Sequence, residues 1–230
     1  MVELVGIGLY TPAEAARLLA VPAVKISRWL RGHSANGRDY DPLWSPQVDL
    51  GDGKTYLGFR DLMEIRVAAA FIMAGVSAQR VRTAIELARE IVGIDRPLST
   101  GRFRTDGRDI FLRVVEQDDD GHERARLLNT FRRQYAFAEI IDPSLKGVEF
   151  DDAGIPMLWR PCGKRGLIVV DPARSFGQPI DEPSSVPTAV LAAAGRQEGI
   201  DMAARAYEVP PASVRRAMAF EDELGTRLAA

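Results

Sequence analysis

Residues 10 to 32 read YTPAEAARLLAVPAVKISRWLRG, a stretch that encodes two short helices meeting at a tight turn. Thr11-Pro12-Ala13-Glu14 is a helix start: the threonine hydroxyl caps a free backbone amide, proline suits the first helical position, and glutamate three residues after the cap completes a capping box. Ala15, Leu18 and Leu19 share one face of a helix running to about Leu19, and Ala20-Val21-Pro22 breaks it. In the second helix, ending near Gly32, Val21, Ile26, Trp29 and Leu30 look inward. Lys25, Ser27, Arg28 and Arg31 remain on the outer face, the side-chain set with which a recognition helix reaches base edges and phosphates in a major groove. A solvated helix pair satisfies the same pattern.

Beyond this pair, residues 48–57 alternate around Asp52-Gly53 and predict a tight hairpin, a wing with Lys54 at its tip that meets phosphate or a minor groove. Residues 61–74 and 77–92 predict helices, broken at Gly75 and ended at Gly93. Val67 to Ala74 is apolar on most sides, the pattern of a helix buried against a second subunit, so a homodimer is expected. Gly101 to Val115 alternates around Thr105-Asp106-Gly107 and predicts a second hairpin bearing Arg102, Arg104 and Arg108. These arginines either clamp a phosphate backbone or solvate an exposed ribbon. Asp118-Asp119-Asp120-Gly121 is a polar turn without the ligand spacing of a calcium loop. A helix over 124–138 and a small hairpin over 150–159 follow, with the junction between modules near Pro161 to Lys164.

Leu167 to Val170 is a short strand stopped by Asp171-Pro172. A helix from Thr188 to about Arg196, then 200–207 and 212–224, predict a second helix-turn-helix after Gly199. Its expected core is Ala203, Ala206, Tyr207, Val214, Ala217, Met218 and Phe220. The expectation is a mainly α protein with small antiparallel β elements in three segments. These are a winged helix-turn-helix over 1–95, a connecting hairpin and helix over 96–165, and a helical module over 166–230.

Composition bounds the function classes. The chain of 230 residues is 46% hydrophobic and 27% charged, ordinary for globular domains and long enough for two of them. Residues 1–113 carry 16 basic and 13 acidic side chains and residues 114–230 carry 14 and 19, so a net +3 front half precedes a net −5 back half, which fits a DNA-facing front. No run approaches the roughly 18 apolar residues of a membrane helix, and the first ten residues lack a basic-then-apolar leader. The expectation is a cytoplasmic protein with no membrane partner. Cys162 alone makes no intrachain disulfide, and with His33 and His122 as the only histidines no zinc site or other cofactor is expected. Neither histidine has a nucleophile or acid partner in a motif, and no phosphate-binding glycine loop occurs, so the chain is not expected to be an enzyme.

Two resemblances add to this. Residues 8–93, through Tyr10 to Val21, Arg28-Trp29-Leu30, the expected wing, Asp61-Leu62 and Ala74-Gly75-Val76-Ser77, resemble a MerR-type DNA-binding domain, although no long dimerising coiled coil follows. Residues 167–222, through Asp171-Pro172, Phe176-Gly177-Gln178-Pro179, Val186-Pro187-Thr188 and Ala203 to Tyr207, resemble the domain-of-unknown-function antitoxins of VapBC-type operons. Where that family has glycine, threonine and arginine before the Val-Pro step, this chain has Pro183, Ser184 and Ser185. The resemblance implies a type II antitoxin that neutralises a PIN-like ribonuclease toxin and binds operator DNA to autoregulate its operon; the alternative is a stand-alone MerR-like regulator with a ligand-binding back half. DNA contacts are expected from Lys25, Ser27, Arg28, Arg31, Lys54, Arg102 and Arg104. On the toxin side, the resemblance implies Arg174, Arg215, Arg216 and Arg227.

Overall fold

A computed structural model describes residues 6–35, 37–116 and 134–229. In chain order these form α1 (Pro12–Leu19), α2 (Ala23–Arg31), β1 (His33–Ala35), β2 (Arg38–Tyr40), α3 (Phe59–Met73), α4 (Ala78–Val92), α5 (Gly101–Glu116) and α6 (Gln134–Ser144). There follow β3 (Val148–Phe150), β4 (Pro156–Trp159), β5 (Ile168–Val170), a 3-10 turn (Ser175–Gly177), β6 (Pro179–Asp181), α7 (Thr188–Glu198), α8 (Ile200–Ala206) and α9 (Pro211–Ala229). The protein is thus mainly helical with small antiparallel sheets. It divides into two compact units: residues 1–59, 147–149 and 157–230 in one, and residues 60–146 with 150–156 in the other.

In the first unit, α1 begins as its sequence dictates. Thr11 Oγ1 accepts the Glu14 amide at 3.3 Å and Glu14 Oε2 accepts the Thr11 amide at 2.7 Å. The helix stops at Ala20, whose left-handed backbone (φ 55°) turns the chain into α2. A small sheet of order β3-β4-β5-β6 holds the rear, with Ile168 opposite Asp181, Val169 opposite Ile180 and Val170 opposite Pro179. All three β5 residues are buried, which explains the uninterrupted apolar run there. Leu191, Ala203, Ala204, Val209, Val214 and Ala217 form the core of α7–α9. Ala206 and Tyr207, expected in that core, are exposed, and Ala204 and Val209 take their place. The reason is that α8 ends at Ala206 and the chain turns through Tyr207 and Glu208 (φ 53°), which rotates the buried face.

The second unit centres on four aromatic rings. Phe71 stacks on Phe111 at 4.3 Å and meets Phe103 edge-on at 6.4 Å, and Phe137 packs against all three. The hairpin expected over 101–115 is instead the helix α5. Phe103, Gly107, Ile110, Phe111 and Val114 are all buried on one helical face, and that period outweighs the strand alternation. Gly107 marks a close approach rather than a turn: a Cβ there would lie 2.8 Å from the rings of Phe103 and Phe137. Much of α3, including Leu62, Met63, Val67, Ala68 and Phe71, is buried by the chain's own elements, so its apolar girth requires no second subunit. Glu64, fully buried on the same helix, accepts the amides of Leu98 and Ser99 at 3.0 and 2.9 Å, and burial pushes its carboxyl up to about 7. Asp61 beside it pairs with Arg96.

The wing expected over 48–57 is likewise not a hairpin; the segment is a loop in which only Leu57 pairs as strand, with Tyr10. Its aspartates fold onto their own backbone, Asp49 accepting the Gly51 amide at 2.8 Å and Asp52 the Lys54 amide at 3.0 Å, and these local bonds replace a ladder. The two-stranded hairpin after α2 is β1–β2, with His33 opposite Tyr40. The polar turn at Asp118 to Gly121 and the first part of the helix expected over 124–138 lie outside the described residues.

Candidate functional site

The α1–α2 pair sets one candidate surface. Val21, Ile26, Trp29 and Leu30 are all buried, as their spacing requires, and this fixes the roll of α2. Lys25, Arg28 and Arg31 are consequently exposed and Ser27 half-buried. Lys25 Nζ lies 5.3 Å from the centre of the Trp29 ring, a cation–π contact that lays its stem along the helix. Arg28 has no ion-pair partner among the described residues. Arg31 does: its Nε donates to Thr55 Oγ1 and its Nη2 to the Gly53 carbonyl at 2.6 Å. Lys54 lies between those two partners with its side chain 75% exposed and its Nζ 4.0 Å from Asp52. Five of the seven residues expected at DNA therefore gather on or beside α2. Arg102 and Arg104 sit on α5 in the other unit, paired with Asp106 at 3.5 Å and Asp142 at 2.8 Å.

Of the arginines implied for the toxin side, Arg216 forks onto the fully buried carboxylate of Asp181, with its Nε at 3.0 Å, and also reaches Ser213 Oγ at 3.1 Å. Arg174 bonds Asp171 at 2.7 Å and both the Glu182 carbonyl and Ser185 Oγ at 3.3 Å. Ser185 thus meets an arginine from within this chain. Arg215 is exposed and carries no partner among the described residues. Arg227 belongs to α9, but its side chain lies outside the described residues.

Residue-by-residue reading missed Arg160, which binds Glu182 with two nitrogens at 2.6 Å and Glu149 at 2.7 Å. The Arg160 bonds hold the Glu182 carboxyl below the usual carboxylate range. No local motif marks this cluster, because Arg160 follows β4, Glu182 follows β6 and Glu149 lies on β3. Also unforeseen is a cleft of about 130 Å³ between α1 and the rear of the same unit, walled by Leu9, Tyr10, Leu18, Pro179, Pro187 and Leu224. At its edge Arg17 pairs with Glu221 at 2.8 Å, and Thr188 Oγ1 donates to the other Glu221 oxygen at 2.5 Å. No group of metal-ligating side chains occurs among the described residues.

The first unit thus joins a helix pair with a cationic outer face to a rear helical module, and the chain resembles VapB-type antitoxins. That resemblance holds over nearly the whole chain. A protein of Mycobacterium tuberculosis named "Putative antitoxin VapB45" is 28% identical over 221 residues, 91% of this chain and 92% of that one. The X-ray crystal structure of Rv2018 from Mycobacterium tuberculosis matches with a TM-score of 0.67 at 28% identity, covering 91% of this chain and 96% of the other. No family model matches the chain.

Proposed function

We propose that this protein is a non-enzymatic, cytoplasmic antitoxin of a type II toxin-antitoxin system. Its front helix pair binds operator DNA as a homodimer and its rear module neutralises a PIN-like ribonuclease toxin. The observation that carries the proposal is the similarity to a protein named as an antitoxin, which covers 91% of this chain rather than one module. Supporting the DNA side, Lys25, Ser27, Arg28 and Arg31 occupy the outer face and end of α2, the helix whose roll is set by buried Ile26 and Trp29. Arg102 and Arg104 spend their charge on Asp106 and Asp142 and fall outside the proposed face. On the toxin side, Arg215 is the exposed arginine of the rear module that makes no internal bond among the described residues. Among the described side chains of the expected set it is the one available to a partner's metal-binding acids.

The test is co-expression with the product of the adjacent gene, followed by pull-down and an RNA-cleavage assay with and without this protein. A stable complex in which cleavage is suppressed is the expected result. Retained DNA binding with no complex and no suppression would overturn the antitoxin role.

A further inference from the structure

We propose that Arg31 is a positioning residue for DNA binding and that Lys54 is the phosphate contact it positions, so that α2 and the 51–55 loop offer one composite surface to a duplex. The inference rests on the DNA-binding reading above. Arg31 is the last residue of α2, and an exposed arginine there reads naturally as a DNA contact. Its fork, however, is directed at the neighbouring loop: one nitrogen donates to the Thr55 hydroxyl and another to the Gly53 carbonyl at 2.6 Å. These are the residues on either side of Lys54. Thr55 is buried, so the clamp has a fixed anchor.

The loop adds restraints of its own. Asp52 accepts the Lys54 amide at 3.0 Å with one oxygen and the Tyr56 hydroxyl at 2.8 Å with the other. The backbone of Lys54 is therefore held directly and through both neighbours, while its ammonium stays in solvent. A lysine whose backbone is already held loses less entropy when a phosphate arrives than one on an unrestrained loop. Arginine suits the clamp because its planar fork directs two N–H groups at two acceptors, which a lysine ammonium on a flexible stem does not reproduce. The Asp52 carboxylate, 4.0 Å from the Lys54 ammonium, is displaced as a partner when phosphate binds.

The experiment measures affinity by fluorescence anisotropy across a sodium chloride series, using a labelled duplex that covers the DNA immediately upstream of the protein's own coding sequence. Lys54→Ala should reduce the slope of log K against log salt by about one, the signature of one lost phosphate contact. Arg31→Ala should give the same loss, and the double variant no more than either single one. Arg31→Lys, which keeps the charge but not the fork, should behave as Arg31→Ala. Thr55→Val removes half of the clamp without touching a charge; it should lower the slope in the same direction and guards against a folding defect in Arg31→Ala. A double variant that loses about two units of slope, or an Arg31→Lys variant with the wild-type slope, overturns the inference while leaving DNA binding intact. A wild-type protein with no affinity for the duplex overturns the DNA-binding reading itself and the inference with it.

Discussion

The front and rear helix pairs of the first unit, α1–α2 and α8–α9, share a backbone device and differ in what they show to solvent. In the front pair the turn passes through Ala20 at φ 55°, and in the rear pair through Glu208 at φ 53°; both are non-glycine residues in the left-handed region. On the front pair the outer face of α2 carries Lys25 and Arg28 without an acidic residue along the helix. On the rear pair α9 exposes Arg215 together with Asp222 and Glu223, while its other arginine at the same turn, Arg216, is directed inward to Asp181. The front helix thus shows Lys25 and Arg28 free of acidic neighbours on its own length, whereas the rear one turns Arg216 inward and sets its exposed Arg215 on a helix that also exposes acids. Only the front face has the sign that a phosphate backbone selects.

The largest effect expected from this contrast is at Arg216. Arg216→Ala leaves the fully buried Asp181 carboxylate without its cation, which should cost about 3 kcal/mol. Trp29, Trp44 and Trp159 all lie in the first unit, so a urea titration followed by tryptophan fluorescence reads the loss there. A change below about 1 kcal/mol would mean that the inward cation is dispensable.

A pH effect of at most the order of 3 kcal/mol should arise outside both helix pairs. Glu64 has its folded value raised to about 7 from 4.5, so its contribution is complete below about pH 4.5 and is lost as pH rises through about 7. Circular dichroism melts at about pH 5 and about pH 8 should show this loss, and Glu64→Gln should flatten it. An unchanged slope in Glu64→Gln would place the titration elsewhere.

Arg28→Ala should weaken operator binding by about 1 to 3 kcal/mol if it reads a base edge, and Arg215→Ala should leave it unchanged in the same gel-shift titration. Equal losses would erase the distinction between the two pairs. Smallest, Thr11→Ala removes the capping hydroxyl of α1 and should cost about 1 kcal/mol in thermal stability, a loss the rear pair, whose α8 has no side-chain cap, cannot suffer.

Local chemistry was the part of the molecule legible in the sequence. The capping box at Thr11 and Glu14, the burial of Ile26 and Trp29, the helix ends at Gly93 and Gly199, and the hairpin around Asp151 to Gly154 all follow from residues within a few positions of one another. Two errors share one cause, in that an Asp-Gly step reads as a hairpin turn wherever it falls. Asp52-Gly53 lies in a loop of aspartate-capped turns, and Asp106-Gly107 lies mid-helix, its glycine there because Phe103 and Phe137 leave no room for a side chain. The hairpin that does form is β1–β2, and the sequence between its strands carries an Asn-Gly step, a strong hairpin signal. At the candidate site, the cationic face was legible from periodicity, whereas the partners of Arg31, Arg174 and Arg216 were not. Hydrogen bonds spanning 11 to 35 residues leave no periodic trace.

The Tyr10 hydroxyl, buried, donates to the Gly177 carbonyl at 2.8 Å across 167 residues of chain, and a Cβ on Gly177 would sit 2.2 Å from that oxygen. On the ribosome this makes the front of the protein wait for its rear. At roughly 5 to 20 residues per second the interval is on the order of ten to thirty seconds. For most of it Tyr10 has its bridge to Leu57 and lacks its bond to Gly177, so a nascent chain holds its first helix pair before the rear contact that seats it exists.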